Sequence, residues 1–105
     1  MASGRLGSAD LTAATSTVIY TVPSNKIASF TVNLCNRSSA SALVRIAMAT
    51  SNPPALADYL EYDAIIPANG VLERTGLVLD AGKSVVVYAS ITGVSAVTYG
   101  FEDAA

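Results

Sequence analysis

Asp58, Glu61 and Asp63, with Glu73 one strand further on, are the residues whose type and spacing come closest to chemistry. Two carboxylates flanking a glycosidic bond can hydrolyse it, and clustered carboxylate oxygens can hold calcium. Glu61 and Asp63 are two residues apart and would share a strand face, with Arg45 and Arg74 available across from them. Cross-strand ion pairs are therefore the plainer account of the cluster, and a structural cation the lesser one. Histidine is absent, which removes the commonest general base near neutral pH and the commonest metal ligand. Neither a Ser-His-Asp nor a Cys-His arrangement can be built. Cys35 is the single cysteine, so no internal disulfide forms. Arg37 alone is near enough in sequence to lower its pKa, and a structural role is expected. No EF-hand spacing, phosphate loop or dinucleotide fingerprint occurs. The expectation is a chain without catalysis, cofactor or metal.

Composition points away from several partners. The 105 residues suit one domain. Hydrophobic residues make up 51% but never run unbroken for the ~18 residues of a membrane span. The first ten residues lack the charged start and apolar stretch of a secretory leader. Asn36-Arg37-Ser38 matches the glycosylation triplet, and without a leader the match is read as chance. The net charge is −2, and Arg5, Lys26, Arg37, Arg45, Arg74 and Lys83 are scattered singly, so a nucleic-acid partner is not expected. Charged residues total 13%, about half the usual ~25%. Either neighbouring subunits cover much of the surface, or a Ser/Thr-rich skin keeps a small domain soluble.

The positioning elements read as strands. Turn signals recur at Pro23-Ser24-Asn25, Asn36-Arg37-Ser38-Ser39, Ser51-Asn52-Pro53-Pro54, Ala68-Asn69-Gly70, Asp80-Ala81-Gly82 and Thr92-Gly93. Between them the period is two. Phe30, Val32 and Leu34 alternate with Thr31 and Asn33; Val44, Ile46 and Met48 with Arg45 and Ala47; Val97, Tyr99 and Phe101 with Thr98 and Gly100. Thr15–Val22, Tyr59–Ile66, Val71–Leu79 and Ser84–Ala89 complete about seven strands. Short links require antiparallel pairing. The predicted fold is all-β: an antiparallel two-layer β-sandwich of jelly-roll or immunoglobulin-like size. Its predicted core is Phe30, Val32, Leu34, Val44, Ile46, Met48, Val87, Val97, Tyr99 and Phe101. Residues 1–14, rich in Gly and small side chains, are expected as an extended arm outside the sandwich of residues 15–105.

Several segments together carry a resemblance. They are Gly4-Arg5-Leu6-Gly7-Ser8, Ile19-Tyr20-Thr21-Val22-Pro23 with Lys26, Val32-Asn33-Leu34-Cys35-Asn36-Arg37, Val44-Arg45-Ile46-Ala47, Asp58-Tyr59-Leu60-Glu61-Tyr62-Asp63, Gly70-Val71-Leu72-Glu73-Arg74-Thr75-Gly76 and Tyr99-Gly100-Phe101-Glu102. In order and spacing they resemble a family of small virion structural proteins of tailed bacteriophages. The resemblance implies a β-sandwich subunit of the particle, made in the host bacterial cytoplasm. Such a subunit would decorate or cement the capsid, or belong to the tail, baseplate or a fibre. It implies no catalytic residues. The expected partners are further copies, as a homotrimer, and the major capsid or tail protein. Arg5, Leu6, Leu11, Arg37, Glu73 and Arg74 are the expected assembly contacts. Glu73 and Arg74, being adjacent on a strand, point to opposite faces and need different partners. The alternative is a carbohydrate- or receptor-binding module of a tail fibre, with Tyr20, Tyr59, Tyr62, Tyr88 and Tyr99 as stacking platforms.

Overall fold

The computed structural model describes residues 3–104. Its strands are β1 (Ser3–Asp10), β2 (Thr17–Thr21), β3 (Lys26–Asn36), β4 (Ala42–Ala49), β5 (Tyr59–Ile66), β6 (Val71–Asp80), β7 (Ser84–Ala89) and β8 (Val94–Ala104). One 3-10 turn, Leu56–Asp58, precedes β5. Sheet A has the order β1-β8-β3-β6 and sheet B the order β2-β7-β4-β5. Each strand of the first half pairs antiparallel with its mirror in the second: β4 with β5, β3 with β6, β2 with β7 and β1 with β8. Wrapping that long hairpin so that β8 also pairs β3, and β7 also pairs β4, makes an eight-stranded jelly roll. The chain is thus an antiparallel two-layer sandwich, as its period-two segments and short links require.

The core lies between the sheets. Ala28, Phe30, Val32, Leu34, Leu77 and Leu79 come from sheet A; Ala42, Val44, Ile46, Ile66, Val85 and Val87 from sheet B. Six of the predicted core residues (Phe30, Val32, Leu34, Val44, Ile46, Val87) are buried there, and Met48 packs against them. Val97, Tyr99 and Phe101 are not part of it. In β8 the inward residues are Val94, Ala96, Thr98 and Glu102, while Tyr99 and Phe101 face outward. β8 alternates as expected from its sequence, but with the opposite row facing inward. β8 runs through the middle of sheet A, and where β3 sends Phe30, Val32 and Leu34 inward, β8 sets the smaller Gly100, Thr98 and Ala96 opposite them. At Gly100 a Cβ would sit 2.1 Å from the Ser29 carbonyl oxygen, so the strands meet with no side chain between them.

The expected arm is also corrected. Residues 1–2 of it lie outside the described residues; residues 3–10 form β1, paired with β8 from Ser3↔Phe101 to Asp10↔Ser95. The backbone partners that an arm would have sought on a neighbour are supplied by the chain itself. Leu11 is 3% exposed in the shared core, and Leu6 packs against that core from a bulge between Arg5 and Gly7. Gly7 permits this closure, because a Cβ there would meet the Ile19 carbonyl oxygen of β2 at 1.9 Å.

Two polar devices fix the corners. Asn36, fully buried at the end of β3, donates from Nδ2 towards the carbonyls of Ala40, Ile66 and Pro67. Its Oδ1 accepts from the Ser38 backbone N–H and hydroxyl. An amide so enclosed cannot carry a glycan in the folded state, and it ties the β3–β4 link to the β5–β6 turn. At the other end, the Tyr20 hydroxyl donates to the buried Glu102 carboxylate across the two sheets. Burial first, then this bond, pushes the Tyr20 phenol far above its ordinary value, so it remains a donor. Among the described residues no buried side-chain polar atom lacks a partner.

Candidate functional site

The acidic residues do not assemble. A bulge in β5 leaves Asp63 at φ 55° and separates it from Glu61. Glu61 stays on the inward side, opposite Ile46, and accepts from Arg74 Nη1 at 3.0 Å. Arg74 occupies the inward register of β6, opposite Val32, so this ion pair bridges the neighbouring edges of the two sheets. Asp63 instead faces out of sheet B and accepts from Arg45 Nε at 2.7 Å. Asp58 accepts from the Ala55 backbone N–H at the 3-10 turn. Glu73 lies on the outer face of sheet A, taking hydrogen bonds from Tyr99 Oη (2.9 Å) and Asn33 Nδ2 (3.3 Å). Both charge pairs foreseen from sequence form, but Glu61 and Asp63 do not share a face. The four carboxylates are spread over separate surfaces, which is no arrangement for paired acid–base work. Among the described residues, no cluster of three potential metal ligands and no enclosed ligand cavity is present.

What the fold does gather is two outer faces of different character. On sheet B, Arg45 lies between the rings of Tyr62 (4.2 Å) and Tyr88 (4.4 Å). Tyr59 meets Tyr62 edge-on at 4.9 Å. Beside this cluster, Ala47, Ala49 and Val86 are buried on the outward side, with Tyr59 packed against them. Asn52 donates to the Ser16 carbonyl. Ser16 precedes Thr17, which pairs with Val87, so it lies level with Tyr88 and far from Ala49 at the end of β4. The segment 50–58 therefore doubles back over Ala47, Ala49 and Val86, while Val18, Leu43 and Ile65 on the rest of this face stay exposed.

Sheet A has no such cover. Phe101 (49% exposed) and Val78 flank the small Ser29, to which both are register partners. Ile27 lies one row along, between Asp80 and Asp103. Tyr99 (41% exposed) reaches from β8 over β3 to Glu73 on β6. That bond, with some burial, raises the Tyr99 phenol and keeps it protonated. The result is an open apolar strip of Ile27, Val78, Phe101 and Tyr99.

The sequence-predicted contact residues divide around this strip. Arg5 and Glu73 lie on the outer face of sheet A, at its β1 and β6 edges. Arg37 is exposed at one end of the sandwich and pairs with Asp10. Arg74 is occupied by Glu61, and Leu6 and Leu11 serve the domain's own core. None of these three is a free contact. The apolar members of the strip were missed because the aromatics of β8 were assigned to the core. Their signal was the polar outward row of β3, Ser29, Thr31 and Asn33, which offers the only neighbours against which they could stand outside.

Comparison with protein-family profiles, curated proteins and solved structures finds no match to this chain.

Proposed function

We propose that the chain is a structural subunit of a tailed-bacteriophage particle, a homo-oligomeric jelly roll that decorates or stabilises capsid or tail through protein–protein contacts. The observation that carries this reading is the open strip on sheet A: large apolar side chains in register on a flat sheet, in a chain with little surface charge. The largest apolar patch on a soluble protein is often a functional contact surface. The sequence resemblance adds the kind of assembly. Fold alone does not choose among functions, because jelly rolls serve in capsids, lectins and enzymes. The reading assigns no catalytic role to any residue. The test is direct: antibody raised against the purified chain should label intact, gradient-purified particles of the phage that encodes it. A chain found in infected cells and missing from particles would sink the proposal.

A second reading rests on the Arg45 cluster. Tyr62 is 52% exposed beside the Asp63 carboxylate and the Arg45 guanidinium, a combination of ring and fork suited to a saccharide. A glycan array probed with the wild-type chain and with Tyr62→Ala distinguishes it: loss of a specific glycan signal in the variant supports it, and no signal from either removes it.

A further inference from the structure

We infer that two copies of this chain pack face to face through the outer surface of sheet A, about a two-fold axis running along the strands. The argument starts from charge. Asp10, Asp63, Glu61 and Asp80 each pair with a cation within the chain. Among the described residues, Arg5 has no carboxylate within ion-pair reach, and Glu73 has only the neutral partners Tyr99 and Asn33. Asp103, on β8 beside Ile27, is likewise without a cation, but Arg5 and Glu73 are the unmatched charges of opposite sign, and they occupy the same outer face at opposite edges. Arg5 is level with Tyr99 and Thr31, and Glu73 level with Asn33, two residues along β3. A two-fold axis along the strands lays β1 of one copy over β6 of the other. Arg5 then faces Glu73 of the second copy, twice, across an offset of about 7 Å along the strands, which an arginine side chain can span.

Beside the two ion pairs, towards Ser29 and Ile27 along β3, the same operation sets the apolar strip of one copy against that of the other. An isologous contact requires this self-complementarity, with one patch meeting itself. The size agrees. Four strands spaced ~4.8 Å apart and about eight residues long present roughly 500 Å² per copy. The pair would bury about 1,000 Å², at the low end of specific interfaces. A contact of that size dissociates on dilution and is reinforced where copies are held close together. Sheet B also exposes Val18, Leu43, Tyr62 and Ile65 on its outer face, but Arg45 and Asp63 there are already paired with each other, so it offers no unmatched charges to fix a partner copy.

The inference does not rest on the phage reading; it requires only that copies meet. Sedimentation of the purified full chain over a wide concentration range should show a reversible monomer–dimer equilibrium. Phe101→Asp should leave a monomer with an unchanged circular dichroism spectrum. Arg5→Glu and Glu73→Arg should each weaken association at least about tenfold, since like charges then meet across the interface. The double variant carrying both reversals should recover most of the loss. A chain that stays monomeric at every concentration overturns the inference. So does a trimer whose mass is untouched by Phe101→Asp, or a double variant no stronger than either single one. Particle labelling can fail while the dimer holds, and the reverse, so the two proposals fail separately.

Discussion

The two outer faces of this sandwich began with similar problems and met them differently. Sheet B carries apolar Ala47, Ala49 and Val86 on its outward side and covers them with its own chain, through Tyr59 and the segment crossing to Ser16. Its arginine is neutralised and stacked in place. Sheet A leaves Ile27, Val78, Tyr99 and Phe101 bare across its middle strands, as sheet B leaves Val18, Leu43 and Ile65, but on sheet A Arg5 and Glu73 are unmatched by opposite charge. A closed face has its partners within the chain; an open one must find them elsewhere. The difference shows that exposure of an apolar side chain has meaning only beside what the same chain did to hide its others.

Five changes would break or sharpen that contrast. The largest effect is expected from removing residues 1–14. A chain beginning at Thr15 loses β1, Leu6 and Leu11 and leaves β8 as a bare edge, so its cooperative thermal transition should vanish. Retention of a sharp melt would return this segment to the status of an arm. Next, Phe30→Ala empties a 3%-exposed site in the shared core and should cost about 3–5 kcal/mol by denaturant unfolding; an unchanged midpoint would contradict the packing.

Tyr20→Phe strands the buried Glu102 carboxylate without its donor and should cost about 1.5–3 kcal/mol. It should also alter the alkaline limb of stability. Because the folded Tyr20 holds its proton more tightly than the unfolded chain does, its contribution is complete below pH ~10 and declines as pH climbs through that value. In the phenylalanine variant that decline should be shallower. Arg45→Ala opens the stacked cluster on sheet B, and the expected result is a small fall in melting temperature with increased binding of a hydrophobic dye. Smallest of all, Phe101→Ala should change stability by no more than about 0.5 kcal/mol. Two phenylalanines on adjacent strands would then differ severalfold in cost, which is the contrast at its simplest. Equal losses at Phe30 and Phe101 would abolish it.

How much of this was legible depends on what each residue's signal could encode. The central strands β3 and β4 were readable because their alternation pairs large apolar side chains with polar ones, leaving little doubt which row is inward. In β8 both rows contain apolar residues, and period two has no sign, so the aromatics were assigned to the wrong side. β1 gave no period at all: Gly4 takes a positive φ, and Gly7 follows a bulge and lets β2 approach closely, features set by strands distant in sequence. Charge allowed the Arg45–Asp63 and Arg74–Glu61 pairs to be foreseen, yet the bulge at Tyr62–Asp63 that sends them to different faces has no glycine to announce it. Asn36 was noticed only as part of a glycosylation triplet. Its structural duty depends on carbonyls thirty residues away, which no local pattern reveals.

The mirror pairing of the strands also orders events in time. β4 and β5 can meet early, being neighbours in sequence, but β1 must wait for β8, which follows every other strand. At ~5–20 residues per second, the first strand spends about 5–20 s without its partner, and sheet A has a gap between β1 and β3 until β8 arrives. Topologies dominated by such distant pairings fold slowly, in milliseconds to seconds. A nascent chain therefore leaves β3 without its β8 neighbour from the time β3 is made until β8 follows, and the glycines and small polar residues of β1 make the waiting strand a poor nucleus for sticking to its neighbours on the ribosome.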